Sequence, residues 1–470
     1  MKQIQSFLYL PLLALLLSAC STAKEYTQPE LKLPERFAAT TVGDTSSIAD
    51  LGWAQFFPDP QLRDLINAGL SGNHDLQLAL NRVAVAQQGS EQARYLFYPD
   101  INLGVAAQYN RPADNSLSGV STKSFLGARH IENYQTLLSA GWEPDIWGKL
   151  KAQRGVALAT YLQTYEAKKA VQTALVAGIA QGYYQLQMLD DQLAIARRNL
   201  ALADSFVTAT QLLKEAGLSH ALAVQQAEAQ RQGIRVLLPQ LEAAIARQEH
   251  ALQLLTGGLP GPVLRGRAND APALPATWSV GLPAAVVSRR PDVRANELAL
   301  MIANAQVGIA RAEMYPSLNI TAGAGLEAFR ASSWWNVPGS LFGMAAGSVL
   351  QPVFRKKALR TRYAVAQLQR DGAVLRFRQS VLVAVNEVSD ALAQLEKLRE
   401  EEEAARAQVA ALRDGVGSAR LLFRSDMATY LEVLNAQANA LQAELSLAAL
   451  QRRKQAAQVD LYRALGGGWK

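Results

Sequence analysis

Tyr98-Pro99-Asp100-Ile101-Asn102-Leu103 returns as Tyr315-Pro316-Ser317-Leu318-Asn319-Ile320, an offset of 217 (315 − 98 = 217). Run backward without a gap, the same offset pairs Asp75 with Asp292 and Ala93-Arg94 with Ala310-Arg311. A second stretch repeats at an offset of 209 (436 − 227 = 209). There Ala216-Gly217-Leu218, Leu222, Val224 and Ala227 fall on Ser425-Asp426-Met427, Leu431, Val433 and Ala436. Gly257-Gly258 likewise meets Gly466-Gly467. The chain is two copies of one unit. Two are too few for a solenoid, so the repeat reads as a pseudo-symmetric pair.

Each copy of the repeated stretch marks a change of period. Before Pro99 the pattern is helical from about Pro58. After it, Ile101, Leu103, Val105, Ala107 and Tyr109 alternate with polar or small residues, the period of a strand. Residues 111–130 read as a loop, and Tyr134, Thr136, Leu138, Ala140 and Trp142 give a second strand. The second copy follows suit with Leu318 to Leu326. After a loop holding Trp334-Trp335, Phe342, Met344, Ala346 and Leu350 oppose Gly343, Ala345 and Gly347. The expected strands lie near 100–111, 132–143, 317–328 and 340–351. Between them run heptads, such as Leu175, Ile179, Gly182, Leu186, Leu189 and Leu193, the spacing of coiled-coil helices. One proline-free span, from about 148 to 213, would be on the order of 100 Å long as a helix.

An apolar face and a polar face on strands of about ten residues form the transmembrane barrel pattern. Four strands cannot close alone, and an open sheet cannot stand in lipid with unpaired edges. Two copies would give eight strands and three would give twelve, the latter leaving a lumen. A soluble sheet buried on its apolar face is the competing reading.

Hydrophobic residues make up 49% of the 470, which suits a folded chain. The net charge of +7 is spread among acids along helices, so the bases read as solvated faces rather than a nucleic-acid surface. The one cysteine is Cys20. A basic start at Lys2, an apolar run from Ile4 to Leu17 and Leu17-Ser18-Ala19-Cys20 resemble a bacterial lipoprotein signal. The expectation is that residues 1–19 are removed, that Cys20 carries covalent lipid and no other cofactor is needed, and that 20–57 form a tether. Repeats of 58–270 and 271–470 follow. His74, His130, His220 and His250 sit at no metal-ligand spacing, and no motif supports catalysis, so neither a metal site nor an enzyme is expected.

Several motifs together resemble the TolC-like outer-membrane efflux proteins, in their lipoprotein (NodT-type) branch. They include Trp53 with Phe56-Phe57-Pro58-Asp59-Pro60, and Asn73-His74-Asp75-Leu76. Arg289-Arg290-Pro291-Asp292-Val293-Arg294, running on to Tyr315-Pro316, is the longest. Asp145-Ile146-Trp147-Gly148 and Gln351-Pro352-Val353-Phe354 match two strand-to-helix corners. The resemblance implies a mainly α protein with membrane β. Two repeats of long coiled-coil helices and two β-hairpins would make a trimeric 12-stranded β-barrel, continued by an α-helical periplasmic barrel. It also implies an outer-membrane conduit, not an enzyme, that passively conducts drugs or other small molecules to the outside. Its partners would be a periplasmic membrane-fusion adaptor, an inner-membrane RND-type pump and outer-membrane lipid. An adaptor or structural coiled-coil lipoprotein without a pore is the alternative.

By the same resemblance a periplasmic constriction falls at the second repeated motif, on Asp426, Tyr430 and Glu432, with Arg424 the nearest counter-charge. Asp426 stands where a glycine is usual, Asn435 replaces a second acid, and Phe354-Arg355-Lys356-Lys357 lacks the usual glycines. A solvated helix acid remains the competing reading of Glu432.

Overall fold

Asp59-Pro60 begins the first long helix by ordinary capping chemistry. Asp59 Oδ1 accepts hydrogen bonds from the backbone N–H of Gln61 (2.9 Å) and Leu62 (3.3 Å), with Pro60 at the first helical position. The structure is a computed structural model, and it describes residues 26–31, 34, 47–266, 280–281 and 283–470. Cys20, the signal sequence and most of the expected tether lie outside the described residues.

The helices are α1 (Trp53–Phe56), α2 (Pro60–Gly72), α3 (His74–Gln92), α4 (Leu117–Leu126), α5 (Lys149–Glu215), α6 (Ala221–Thr256), α7 (Pro283–Arg289), α8 (Pro291–Ala312), α9 (Ala358–Arg424) and α10 (Tyr430–Ala464). The strands are β1 (Asp100–Asn110), β2 (Ile131–Trp142), β3 (Ser317–Ala328) and β4 (Leu341–Leu350). The duplication is visible in these bounds. α3 and α8 start 217 residues apart (291 − 74), whereas α5 and α9 start and end 209 apart (358 − 149; 424 − 215). The change of eight falls in the hairpin loops: 20 residues (111–130) between β1 and β2, but 12 (329–340) between β3 and β4. The longer loop is not featureless, as the sequence suggests. It holds α4, capped by Ser116 Oγ on the N–H of Gly119.

Among the described residues the chain forms two compact units. The first comprises 26–29, 84–162 and 297–375, and the second the rest. Each unit draws on both repeats. The first unit contains the sheet, antiparallel throughout in the order β1-β2-β3-β4.

The second unit contains the main core. Tyr183, Leu186, Ile179 and Leu252 pack there with Phe57, Leu62, Ile66, Leu461 and Leu465, all essentially inaccessible. One expectation needs correcting. The sequence places residues 47–57 in the tether, but Ile48–Asp50 form a short 3₁₀ turn and α1 follows. Phe56 stacks on Tyr462 at 4.0 Å between ring centroids, and the Tyr462 hydroxyl donates to the Leu51 carbonyl at 2.8 Å. This segment is held by the far end of the chain, a contact that no local pattern could announce. Burial pushes the Tyr462 hydroxyl up to about 12, so it stays a donor at any ordinary pH.

Candidate functional site

The sheet has one apolar face; Trp334 packs on its rim at Tyr134, with ring centroids 5.4 Å apart, and its middle is open, with Leu103, Leu138, Ala322, Ala324 and Ala345 all exposed. Ile101, Leu103 and Val105 are 65–69% exposed. Antiparallel pairing puts Leu138, Ala140 and Thr136 beside them, then Ala322, Ala324 and Leu326 of β3. The other face carries Asn102, Gln108, Gln135, Asn133, Ser139, Asn319, Thr321 and Glu327, and Asn133 donates to Glu327 at 3.1 Å. A contiguous apolar face of this kind marks an interaction surface. Its alternation around a polar face is that of a membrane barrel wall. Among the described residues the outer edges of β1 and β4 have no neighbour in the sheet, so each presents unpaired N–H and C=O groups to a further strand.

The fourth strand corrects the sequence reading. Leu341, Gly343, Ala345, Gly347 and Val349 pair with Leu326, Ala324, Ala322, Ile320 and Leu318, so they share the apolar face. Phe342, Met344, Ala346 and Leu350, expected there, lie on the polar face instead. Gly323 makes room for two of the larger neighbours. A Cβ added to it would lie 3.0 Å from a Leu137 methyl and 3.5 Å from the Met344 side chain. Alternation in β4 is between large and small residues rather than apolar and polar ones, so size misleads the assignment of faces.

Two corners lead from strands into long helices. At the first, Asp145 accepts from the N–H groups of Leu150 (2.9 Å) and Lys151 (2.8 Å), capping α5. Trp147 donates to the Pro316 carbonyl at 2.6 Å and stacks on Tyr315 at 4.8 Å, so the repeated Tyr-Pro motif of one copy meets the corner of the other. Lys149 pairs with Glu143 at 2.6 Å. Gly148 takes a left-handed φ of 77°. At the second corner Lys356 and Lys357 take φ of 49° and 65°, without glycine.

The helix turns of the second unit carry the expected constriction residues. All four paired long helices end alike. The N–H groups of Leu218, Gly258, Met427 and Gly467 return to the carbonyls of Leu213, Gln253, Leu422 and Tyr462, at 2.8–3.0 Å. This is the closing motif in which the preceding residue turns left-handed. That residue is Gly217, Gly257 and Gly466 at three ends, and Asp426, with φ of 59°, at the fourth. The next helix starts with a reciprocal cap. Thr429 Oγ1 accepts from the Glu432 N–H at 3.4 Å, while Glu432 Oε2 accepts from the Thr429 N–H (2.6 Å) and hydroxyl (3.0 Å). The backbone bond from Thr429, then the hydroxyl bond, hold the Glu432 carboxyl below the usual carboxylate range. Tyr430 packs with Phe423 on a small core of Phe206, Ala227, Val433 and Leu434. Arg424, the last residue of α9, and Asp426 are exposed, and within one chain neither pairs with Glu432. The structure therefore gives Glu432 a definite partner, and the Thr-x-x-Glu spacing that signals it is present in the sequence.

Arg290, part of the longest family motif, acquires a role only in the structure. It is 5% exposed. Its guanidinium forks onto Asp292 (3.0 and 2.7 Å) and reaches Glu387 of α9 (2.7 Å) and the Ala464 carbonyl at the end of α10 (3.1 Å). A single side chain thus ties three helices. Burial by itself would raise the Asp292 carboxyl, but Arg290's bonds and charge outweigh it and hold that carboxyl below its usual range. Glu402, 7% exposed, is held in the same way by Lys454 and Arg406, each at 2.6 Å. His130 stacks on Tyr109 and lies 3.3 Å from Glu132. Among the described residues no His, Cys, Asp or Glu cluster could hold a metal ion, and no helix is long and apolar enough to cross a membrane.

Comparison with known proteins agrees with this geometry. The family described as "Outer membrane efflux protein" matches residues 65–258 and 282–467. The cation efflux system protein CusC of Escherichia coli K12 is 30% identical over 462 residues, covering 97% of this chain and 98% of the relative. The toluene efflux pump outer membrane protein TtgC of Pseudomonas putida is 31% identical over 479 residues, covering 99% and 96%. A crystal structure of CusC superposes with a TM-score of 0.84 at 28% identity, covering 96% of this chain and 100% of the other.

Proposed function

This chain belongs to the outer membrane efflux protein family and is an outer-membrane efflux channel; we propose that it works as a homotrimer, a passive conduit that performs no catalytic step. The observation that carries the reading is the open four-stranded sheet with an apolar face exposed at its middle and two unpaired edges. Three such sheets joined β1 to β4 make twelve strands, enough to enclose an aqueous lumen with lipid outside. The polar face would line that lumen. The heptad helices of the three chains would continue it through the periplasm to an adaptor and an inner-membrane pump of the RND type.

Specificity would lie with the pump, because a tube offers no binding pocket. The relatives' names point to cations for one and toluene for another, so the cargo of this chain is proposed only as small molecules or ions delivered from the pump. Cys20, lipidated after removal of residues 1–19, would anchor the chain end in the outer membrane, a supplement to the barrel. Asp426, Glu432 and Tyr430, brought together threefold, would narrow the periplasmic end, with carboxylates that favour cations.

Planar-bilayer recording of the purified full-length protein tests the reading. Stepwise ion conductance is expected. Assembled protein with intact strands that never conducts would favour a structural lipoprotein or adaptor instead.

A further inference from the structure

The second strand-to-helix corner is built unlike the first. Where the first corner tucks Trp147 against Tyr315, the second leaves Val353 and Phe354 93% and 82% exposed. Arg355, Lys356, Lys357 and Arg360 follow, all exposed, and among the described residues none of them makes an ion pair. From Gln351 to Arg370 there are six basic residues (355, 356, 357, 360, 362, 370) and no acid. Only the two farthest along the helix are matched, Arg362 to Glu313 and Arg370 to its neighbour Asp371.

The backbone shows that this charge is not placed for the fold's convenience. Lys357 sits 209 residues after Gly148 (357 − 148 = 209), the offset of the repeat on this side of the hairpins. Both are left-handed, at φ of 65° and 77°. Glycine takes that conformation freely and lysine does not. Lys356, at φ of 49°, bears the same penalty. Strain retained at consecutive positions points to a role for the side chains. Lys357 borders a cleft of about 610 Å³, lined also by Met314, Gln351, Phe354, Arg355 and Arg360.

We propose that Val353-Phe354-Arg355-Lys356-Lys357, with Arg360, is a lipid-binding collar that takes the phosphate headgroups of anionic phospholipids. The proposal rests on the channel reading. If the apolar face of the sheet meets hydrocarbon, Val349 is its last lipid-facing residue on β4, and the corner four residues later lies at the headgroup level. An exposed aromatic and valine beside unmatched bases suit that boundary: the apolar pair enters the acyl region while the bases meet phosphate. Arg355 also borders a cleft lined by Glu143, Asp145 and Glu313, but the cleft that Lys357 and Arg360 border holds no carboxylate, and that side of the corner suits phosphate. Each basic side chain near an anionic surface strengthens association about fivefold.

The full-length protein is placed in nanodiscs of phosphatidylethanolamine with one quarter phosphatidylglycerol, and retained lipid is counted by native mass spectrometry. The test variant is Lys356→Gly/Lys357→Gly/Arg360→Ala, whose glycines suit the backbone, so folding is not at risk. Wild type should retain phosphatidylglycerol in preference to phosphatidylethanolamine, and the variant should lose that preference by tenfold or more. Lys356→Arg/Lys357→Arg should keep it. Equal retention by wild type and the glycine variant would overturn the proposal, as would no preference in wild type. So would Phe354→Cys that reacts with neither a soluble nor a lipid-borne maleimide, since a second copy would then cover the segment. The same preparations are recorded in planar bilayers. Conductance without anionic preference defeats the collar and spares the channel; preference without conductance does the reverse.

Discussion

Replacing Arg290 with alanine removes a side chain that ties α8, α9 and α10. Four hydrogen bonds go: two to Asp292, one to Glu387 and one to the Ala464 carbonyl. Charge-assisted bonds contribute about 1.5–3 kcal/mol each, but their sum overstates the loss. The Asp292 and Glu387 side chains are 46% and 34% exposed and would regain water. The Ala464 carbonyl loses its bond from a guanidinium at a buried site. The net cost is therefore about 3 kcal/mol, the low end for breaking a buried pair by removing one partner. Apparent melting of detergent-solubilised protein, followed by fluorescence at one fixed scan rate, should fall by several degrees at pH 7. Arg290→Lys should recover only part, because an ammonium cannot fork onto two oxygens. The pH dependence carries a sign. Asp292 has a lowered folded-state pKa, so its contribution is present above the usual aspartate value and lost as pH falls through the folded one. The gap between wild type and Arg290→Ala should thus be full above about pH 4 and narrow below it. A melting point within a degree of wild type, or a gap indifferent to acid, would refute the clamp.

Asp426→Gly should stabilise the α9–α10 turn by about 0.5 kcal/mol, since glycine accepts the left-handed φ more freely; hydrogen exchange at Met427 would report it. Glu432→Gln preserves a capping residue while removing its charge, so helix content should hold. Its cation preference, read from reversal potential in a salt gradient, should fall, and unchanged selectivity would leave Glu432 as a cap alone. Phe57→Ala should cost about 3–5 kcal/mol, because the ring is wholly buried against Tyr462; a melting point like wild type would restore residues 47–57 to the tether. Cys20→Ser should abolish lipid detectable by mass spectrometry without preventing assembly, and lipid still attached in the variant would place the anchor elsewhere.

The duplication, the hairpins and the long helices are legible in the sequence because they rest on local periods, and a change of period survives in any context. What escapes depends on distant partners or on rules other than hydropathy. The burial of Phe56 and Phe57 is fixed by Tyr462, some four hundred residues away. The faces of β4 read inverted because its large residues lie on the polar side, where Met344 sits over Gly323. α4 hides in a polar, glycine-bearing loop, where its Ser116 cap is the main local signal. At the turns, the left-handed Asp426 can be inferred from Gly217 one repeat earlier, whereas Arg290's partners lie on helices whose packing no single-chain pattern declares.

The central claim is that the open sheet is closed only by further copies of the same chain. The mass of the purified protein in detergent, with strand content checked by circular dichroism on the same sample, tests it most directly. Three chains per particle are expected, giving twelve strands. A stable monomer that keeps all four strands folded would contradict it.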